Sequence, residues 1–257
     1  MDKIQLETRN FLELKLLDGL RPIVLIAPGG GYHYTSSREA DPVAKVFQKA
    51  GFHSGIIYYR ETKLLYPDTV KELSEFVREI RIHSGDLNIK TDGIYLLGFS
   101  AGGHYVASLG VDWEKYGKAT RPDALILAYP VITGKKGFSH EGSIQNLFGE
   151  ISAEVRADFS LEYRVNASTP PTFLFHTVTD QAVSYQNSLL FFEALSKNNV
   201  KTEIHLFQEG PHGLSLANRE TAYENEDPLE FERKYRRISI WPDLAASFLF
   251  EIEKSDH

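Results

Sequence analysis

The stretch IYLLGFSAGGHYVASLG, from Ile94 to Gly110, constrains the fold more tightly than any other part of the chain. An apolar run that predicts a strand passes directly into Gly98-Phe99-Ser100-Ala101-Gly102, and small and apolar residues at helical spacing follow. This is G-x-S-x-G between a strand and a helix, the setting in which that pattern carries meaning. The turn is sharp enough to hold Ser100 in a strained backbone conformation. Glycines two before and two after leave room for the crossing chain, and the hydroxyl projects above the sheet. The helix that follows aims backbone N–H groups at the place where negative charge would gather.

The rest of the chain supplies the sheet. Strands are predicted at 11–17, 22–28, 55–60, 93–98, 123–129, 172–177 and 202–207. The first alternates, as an edge strand does, and the later ones are continuously apolar, as strands covered on both faces are. Between them, Val43, Val46, Phe47 and Ala50 mark one helix face, and Val70, Leu73, Phe76, Val77 and Ile80 another. Leu189, Phe192 and Leu195 mark a third, and a last helix starts near Ile240 with Pro242 in its first turn. Alternating strands and helices predict an α/β fold with a mainly parallel central sheet and helices on both faces. Residues 132–165 are too long and too rich in glycine and charge for one crossover helix. They are expected as a cap-like or rim insertion on a single domain spanning 1–257, and 214–239 as a second irregular stretch.

Composition excludes several classes. With 35 acidic against 28 basic residues the net charge is -7, which argues against a nucleic-acid surface. The densest basic run, FERKYRRISI at 231–240, reads as a solvated helix face. The absence of cysteine removes disulfides, thiolate metal sites and a thiol nucleophile, and the nine histidines show no H-E-x-x-H or H-x-H spacing, so no metal and no cofactor is expected. No segment approaches the length of a membrane span and no secretory apolar core stands near Met1, so a cytoplasmic location and no membrane partner are expected. The glycines of PGGGYHYTSS form neither G-x-G-x-x-G nor a loop ending in G-K-[ST], which leaves dinucleotide and phosphate cradles unsupported.

A serine hydroxyl needs a base and an acid, and in an open α/β sheet these stand at strand carboxyl ends. His212 lies in a glycine-bounded loop after the last predicted strand, and Asp180 just beyond the strand before it. In this reading His212 takes the proton of Ser100, and Asp180 fixes the imidazole tautomer. His205, His176 and His104 are the other possible bases, and Glu209 and Asp123 the other possible acids. Tyr32, His33, Tyr34, His104, Tyr129 and Pro130 are expected as pocket wall, with Phe138 and Phe148 from the inserted segment.

The chain resembles the α/β-hydrolase esterases of the acetyl xylan esterase and BD-FAE kind, close to the hormone-sensitive-lipase and carboxylesterase branch. The stretches that carry the likeness are PGGGYHYTSSREADPVAKVFQKAGF, YYR, GFSAGGH, AYPVI, PPTFLFHTVTDQAVSYQNSLLFFEAL and EIHLFQEGPHGLSL, which together extend from Pro22 to the final helix. The resemblance implies Ser100 as nucleophile, Asp180 as acid and His212 as base. It also implies an oxyanion hole built from Gly30, Gly31 and the Ala101 N–H. Pro28 stands where the lipase branch has histidine, and Ser184 where the family often has proline after the acid. Family members act on acetyl esters of sugars or xylo-oligosaccharides and on short-chain synthetic esters, so the expected partner is a small ester, an acetylated carbohydrate. Hydrolysis of a small amide, formamide or peptide by the same triad, and an inactive binding module, are the other readings. Homo-oligomers are common among such esterases, and no surface strip in this sequence points to one.

Overall fold

The computed structural model describes residues 2–255. Its sheet has eight strands: β1 (Lys3–Gln5), β2 (Phe11–Lys15), β3 (Arg21–Ala27), β4 (His53–Tyr58), β5 (Ile89–Phe99), β6 (Ala124–Ala128), β7 (Thr172–Thr177) and β8 (Thr202–Phe207), in the spatial order β1-β2-β4-β3-β5-β6-β7-β8. From β4 through β8 every neighbour is parallel, whereas β1–β2 and β2–β4 are antiparallel. The fold is thus the mixed, mostly parallel sheet of an α/β hydrolase. The predicted strand at 11–17 alternates but does not form the edge. The three-residue β1 covers it, a segment too short to show a period.

Burial on both faces explains the continuous apolar runs. In β3, Ile23, Leu25 and Ala27 face one core, and Val24 and Ile26 face the other. In β5, Ile94 and Leu96 pack on the first core, with Tyr95, Leu97 and Phe99 on the second. The first core is closed by α2 (Asp68–Ile82), α3 (Ala101–Asp112) and α6 (Gln186–Lys197), and the second by α1 (Asp41–Lys49) and α8 (Trp241–Ser255).

The buried face of α6 is not the predicted one. Asn187, Ser188, Phe191 and Leu195 point inward, while Leu189 and Phe192 are only half-buried. The reason is polar. Asn187 Oδ1 accepts the Ile132 and Thr133 N–H groups, its Nδ2 donates to the Phe138 and Ser184 carbonyls, and Ser188 bonds His176. Each of these groups is buried and needs a partner, so they set the rotation of the helix.

Residues 132–165 contain α4 (Glu141–Phe148) and α5 (Ala153–Phe159). Ile144, Leu147, Phe159 and Leu161 sink into the first core, and Thr133 and Gly134 bond Glu162 and Ser160, so the segment is tied down at several points. The stretch 214–239 contains one α-helix, α7 (Pro228–Tyr235), preceded by a single 3-10 turn at Arg219–Thr221. No described helix is long and apolar enough to cross a membrane.

Candidate active site

Five parallel strands deliver the site from their carboxyl ends. β5 ends at Phe99, and Ser100 follows with φ 53°, a left-handed conformation that costs a non-glycine residue about 1–3 kcal/mol. Four backbone bonds hold it there. Ser100 N–H donates to the Ala128 carbonyl, and the Ser100 carbonyl accepts from Gly103, His104 and Val131. A side chain at Gly98 would stand 2.2 Å from the Gly102 carbonyl oxygen, and one at Gly102 2.1 Å from that of Ala27. The two glycines of the motif therefore exist because three backbones cross at this point.

His212, beyond β8, places Nε2 2.8 Å from Ser100 Oγ and Nδ1 2.7 Å from Asp180 Oδ2. Asp180 cannot donate as a carboxylate, so Nδ1 carries the imidazole proton and Nε2 is free to accept that of Ser100. Asp180 follows β7, and its Oδ1 accepts the Ala182 and Val183 N–H groups, each at 2.9 Å. Burial alone would push Asp180 up, but hydrogen bonds from His176 and His212, the charge of His212 and the Val183 N–H outweigh it and hold the carboxyl well below the usual carboxylate range.

His176 is a supporting residue. Its Nε2 lies 3.0 Å from the Val183 carbonyl and 3.3 Å from Asp180 Oδ2, and its Nδ1 lies 2.8 Å from Ser188 Oγ. The remaining alternatives fall away from Ser100. Asp123 stands at the amino end of β6, bonded to the Ile94 N–H and Arg81. His205 pairs with Glu203 in β8. Glu209 is exposed and makes no bond to His212 among the described residues.

The glycine loop after β3 lies against the same serine. A Cβ on Gly29 would be 3.1 Å from Ser100 Cβ. The carbonyls of the loop are all engaged: Gly29 accepts from Ser36, Gly30 from His33 and Tyr34, and Gly31 from Asn146 Nδ2 at 2.8 Å. In a trans peptide the following N–H points the opposite way, so those of Gly30, Gly31 and Tyr32 turn away from these partners. Among the described residues no acceptor takes the Gly30, Gly31 or Ala101 N–H. Such a set of unpaired donors beside a serine can hold a developing oxyanion.

Several expected wall residues do not present their side chains to a substrate. Tyr32 and His104 are each 1% exposed, and the Tyr32 hydroxyl donates to His104 Nδ1 at 2.9 Å. His104 Nε2 donates to the Phe159 carbonyl at 2.9 Å, and the two rings stack with centroids 3.9 Å apart. Burial pushes His104 down to about 3, so it stands neutral as a peg joining loop, α3 and α5. Pro130 is buried at the start of α3, against Gly103. Tyr129 is buried as well, its ring edge-on to His212 with centroids 5.1 Å apart. Phe148 stacks on Tyr66 at 4.9 Å and is half-buried. That leaves His33 and Tyr34, both exposed, and the half-exposed Phe138.

Sequence reasoning missed Arg38, Glu39 and His140. Glu39 Oε2 accepts the Gly29 N–H at 2.7 Å, and Oε1 accepts the Tyr129 hydroxyl at 2.6 Å. Arg38 donates to the Gly213 and Thr221 carbonyls, each at 3.0 Å, and its guanidinium lies over the Tyr223 ring. The glycine loop and the His212 loop are thereby stapled together. No local pattern announces such bonds, since they join positions 90 and 183 residues apart. His140 caps α4 beside Gly31.

A sharp strand–serine–helix turn, a serine–histidine–aspartate relay and a donor-lined loop on this sheet define a hydrolase of the α/β class. The BD-FAE family matches residues 15–121. The chain is similar to the structure of an acetyl ester-xyloside bifunctional hydrolase from Caldicellulosiruptor lactoaceticus, with 34% identity over 90% of this chain and 89% of that one, at a TM-score of 0.76. A sugar hydrolase from Lactococcus lactis is 31% identical over 98% of both chains, at a TM-score of 0.84. The endo-1,4-β-xylanase B of Butyrivibrio fibrisolvens is 34% identical over 216 residues, which are 79% of this chain but 34% of that protein. The chain thus spans about a third of that curated relative's length. It belongs to the α/β-hydrolase superfamily, in the esterase branch related to BD-FAE and the acetylxylan esterases.

Proposed function

We propose that the protein is a serine ester hydrolase that removes acetyl groups from sugars or xylo-oligosaccharides. The observation that carries the reading is the relay from Ser100 Oγ through His212 to Asp180, at 2.8 and 2.7 Å, beside unpaired backbone donors. Ser100 Oγ attacks the ester carbonyl carbon while His212 Nε2 takes its proton. Gly30, Gly31 and Ala101 N–H groups receive the tetrahedral oxyanion. Collapse expels the alcohol, which takes the proton from His212, and leaves an acyl-serine. Water, deprotonated by His212, repeats the attack and releases acetate and free Ser100. Asp180 stays ionised throughout and stabilises the imidazolium.

The sugar alcohol is supported by the Caldicellulosiruptor and Lactococcus relatives, one an acetyl ester-xyloside hydrolase and the other a sugar hydrolase. His33, Tyr34 and Phe138 are the side chains left to meet it. We read 1–257 as one α/β-hydrolase domain with 132–165 as its rim. The test is a panel of acetylated xylo-oligosaccharides, acetylated monosaccharides, short-chain aryl esters, N-formyl compounds and peptides. The reading predicts acetate release from the acetylated sugars with the highest kcat/KM. Turnover confined to the amides or peptides would overturn it.

A further inference from the structure

His140 reaches the site from the rim with only one side of its ring engaged. Its Nδ1 accepts the Ser143 N–H at 3.2 Å and lies 2.8 Å from Ser143 Oγ. A ring nitrogen that accepts a backbone N–H carries no proton, so in the neutral imidazole the proton sits on Nε2. Among the described residues nothing accepts that proton. Burial holds the ring below its ordinary range, the nearby His212 adds to this, and Asp180 and Glu141 oppose it. His140 is therefore a neutral donor at neutral pH.

Its position is set by Gly31. His140 Cε1 lies 3.8 Å from where a Cβ on Gly31 would stand, and Asn146 of the same helix holds the Gly31 carbonyl. Gly31 belongs to the glycine loop with unpaired N–H groups, which the functional reading gives to the ester oxygen, and in that reading His212 returns a proton to the departing oxygen. A side chain packed against that glycine loop, close enough to His212 to feel its charge, stands where the alcohol half of a bound ester can reach it. An uncharged N–H suits a hydroxyl or ring oxygen there, and it offers nothing to an alcohol without an acceptor at that place.

We propose that His140 is a specificity residue for the alcohol half of the substrate, donating from Nε2 to an acceptor oxygen of the sugar next to the scissile ester. The inference rests on the ester-hydrolase reading and deepens it. Its test compares kcat/KM for acetylated xylobiose and phenyl acetate in the wild-type chain, H140F and H140Q. The ratio of sugar ester to phenyl ester falls about fivefold to tenfold in H140F, the loss of one neutral hydrogen bond, and H140Q, which keeps an N–H, recovers most of it. An unchanged ratio in H140F overturns the inference, and so does an equal loss on both esters, which marks a structural effect through Ser143 or Gly31. If H140F fails to fold, S100A supplies the readout: acetylated xylobiose shifts the His140 Nε2–H resonance and phenyl acetate does not, whereas no shift with the sugar overturns the inference. A wild-type chain that cleaves phenyl acetate but no sugar acetate sinks this inference and the sugar half of the functional reading, and leaves the serine ester hydrolase standing. One that cleaves neither ester sinks the hydrolase reading with it.

Discussion

Tyr129 donates its phenolic proton to Glu39 Oε1 across 2.6 Å, and through this bond the ring beneath His212 is tied to the glycine loop. The other carboxylate oxygen of Glu39 takes the Gly29 N–H, so one buried side chain ties the glycine loop to the ring that packs on His212. The Tyr129 oxygen in turn accepts the Ser215 N–H, which extends the link into the His212 loop.

Glu39→Gln replaces one of two acceptors by an amide that faces a donor. About 1–3 kcal/mol of stability is the expected loss, from one buried donor left unsatisfied. Urea denaturation reads that loss, and kcat/KM should fall with it as the loop drifts. A variant with wild-type midpoint and turnover would show that the link is idle.

Asp180→Asn leaves the shape of the site but turns an N–H toward His212 Nδ1, which favours the wrong imidazole tautomer. A drop in kcat on the order of 10⁴ is expected, the size seen for the same change in another triad hydrolase. Circular dichroism should show an unchanged fold. A loss of less than tenfold would point to another acid.

The two glycines of the loop should behave differently. At Gly30 the backbone has φ 130° and a Cβ would stand 2.1 Å from the Tyr34 carbonyl oxygen, so Gly30→Ala should damage folding as well as turnover. Gly31 has φ 62° and open space, with His140 the nearest group at 3.8 Å. Gly31→Ala should cost about 1–2 kcal/mol in stability for the left-handed backbone. Alanine keeps the backbone N–H, so Gly31→Ala should hold kcat within about tenfold, whereas the shift forced by Gly30→Ala misaims a donor and should lower kcat by about a hundredfold, some 3 kcal/mol. Thermal melting beside ester kinetics on both variants separates the two effects.

His104 makes stability depend on pH. Its ordinary value is near 6.5 and the folded chain lowers it to about 3, so between these limits the unfolded state binds a proton that the folded state does not. Stability from this group is therefore whole above about pH 6.5 and is lost as pH falls toward 3, by up to about 1.4 kcal/mol per pH unit. Denaturant titrations at pH 7, 6, 5 and 4 should show that slope. His104→Gln should flatten it by about one proton, and an equal slope in both chains would contradict the buried neutral assignment.

The parts of this molecule that could be read in advance are those where one local pattern has one physical cause. Continuous apolar strands are continuous because β3 and β5 bury both faces, and G-x-S-x-G has glycines because backbones cross there. Strand ends, a rule of topology, point to Ser100, Asp180 and His212, and His212 lies within hydrogen-bond distance of both of the others. Tyr32, His104 and Tyr129 show the limit. An aromatic residue near a site packs inward or faces a ligand according to partners far along the chain, here Phe159 and Glu39. The rotation of α6 differs from its apolar periodicity for the same reason, since Asn187 and Ser188 are buried by bonds that hydrophobic periodicity does not count.

The central claim is that Ser100 attacks the ester and carries the acyl group. Acetate release from acetylated xylobiose by the wild-type chain and by S100A, with matched circular dichroism, tests it most directly. Turnover at the wild-type level only in the wild-type chain, with rapid quench yielding an acetylated peptide that contains Ser100, is the predicted result. A folded S100A chain that releases acetate at the wild-type rate would contradict the account.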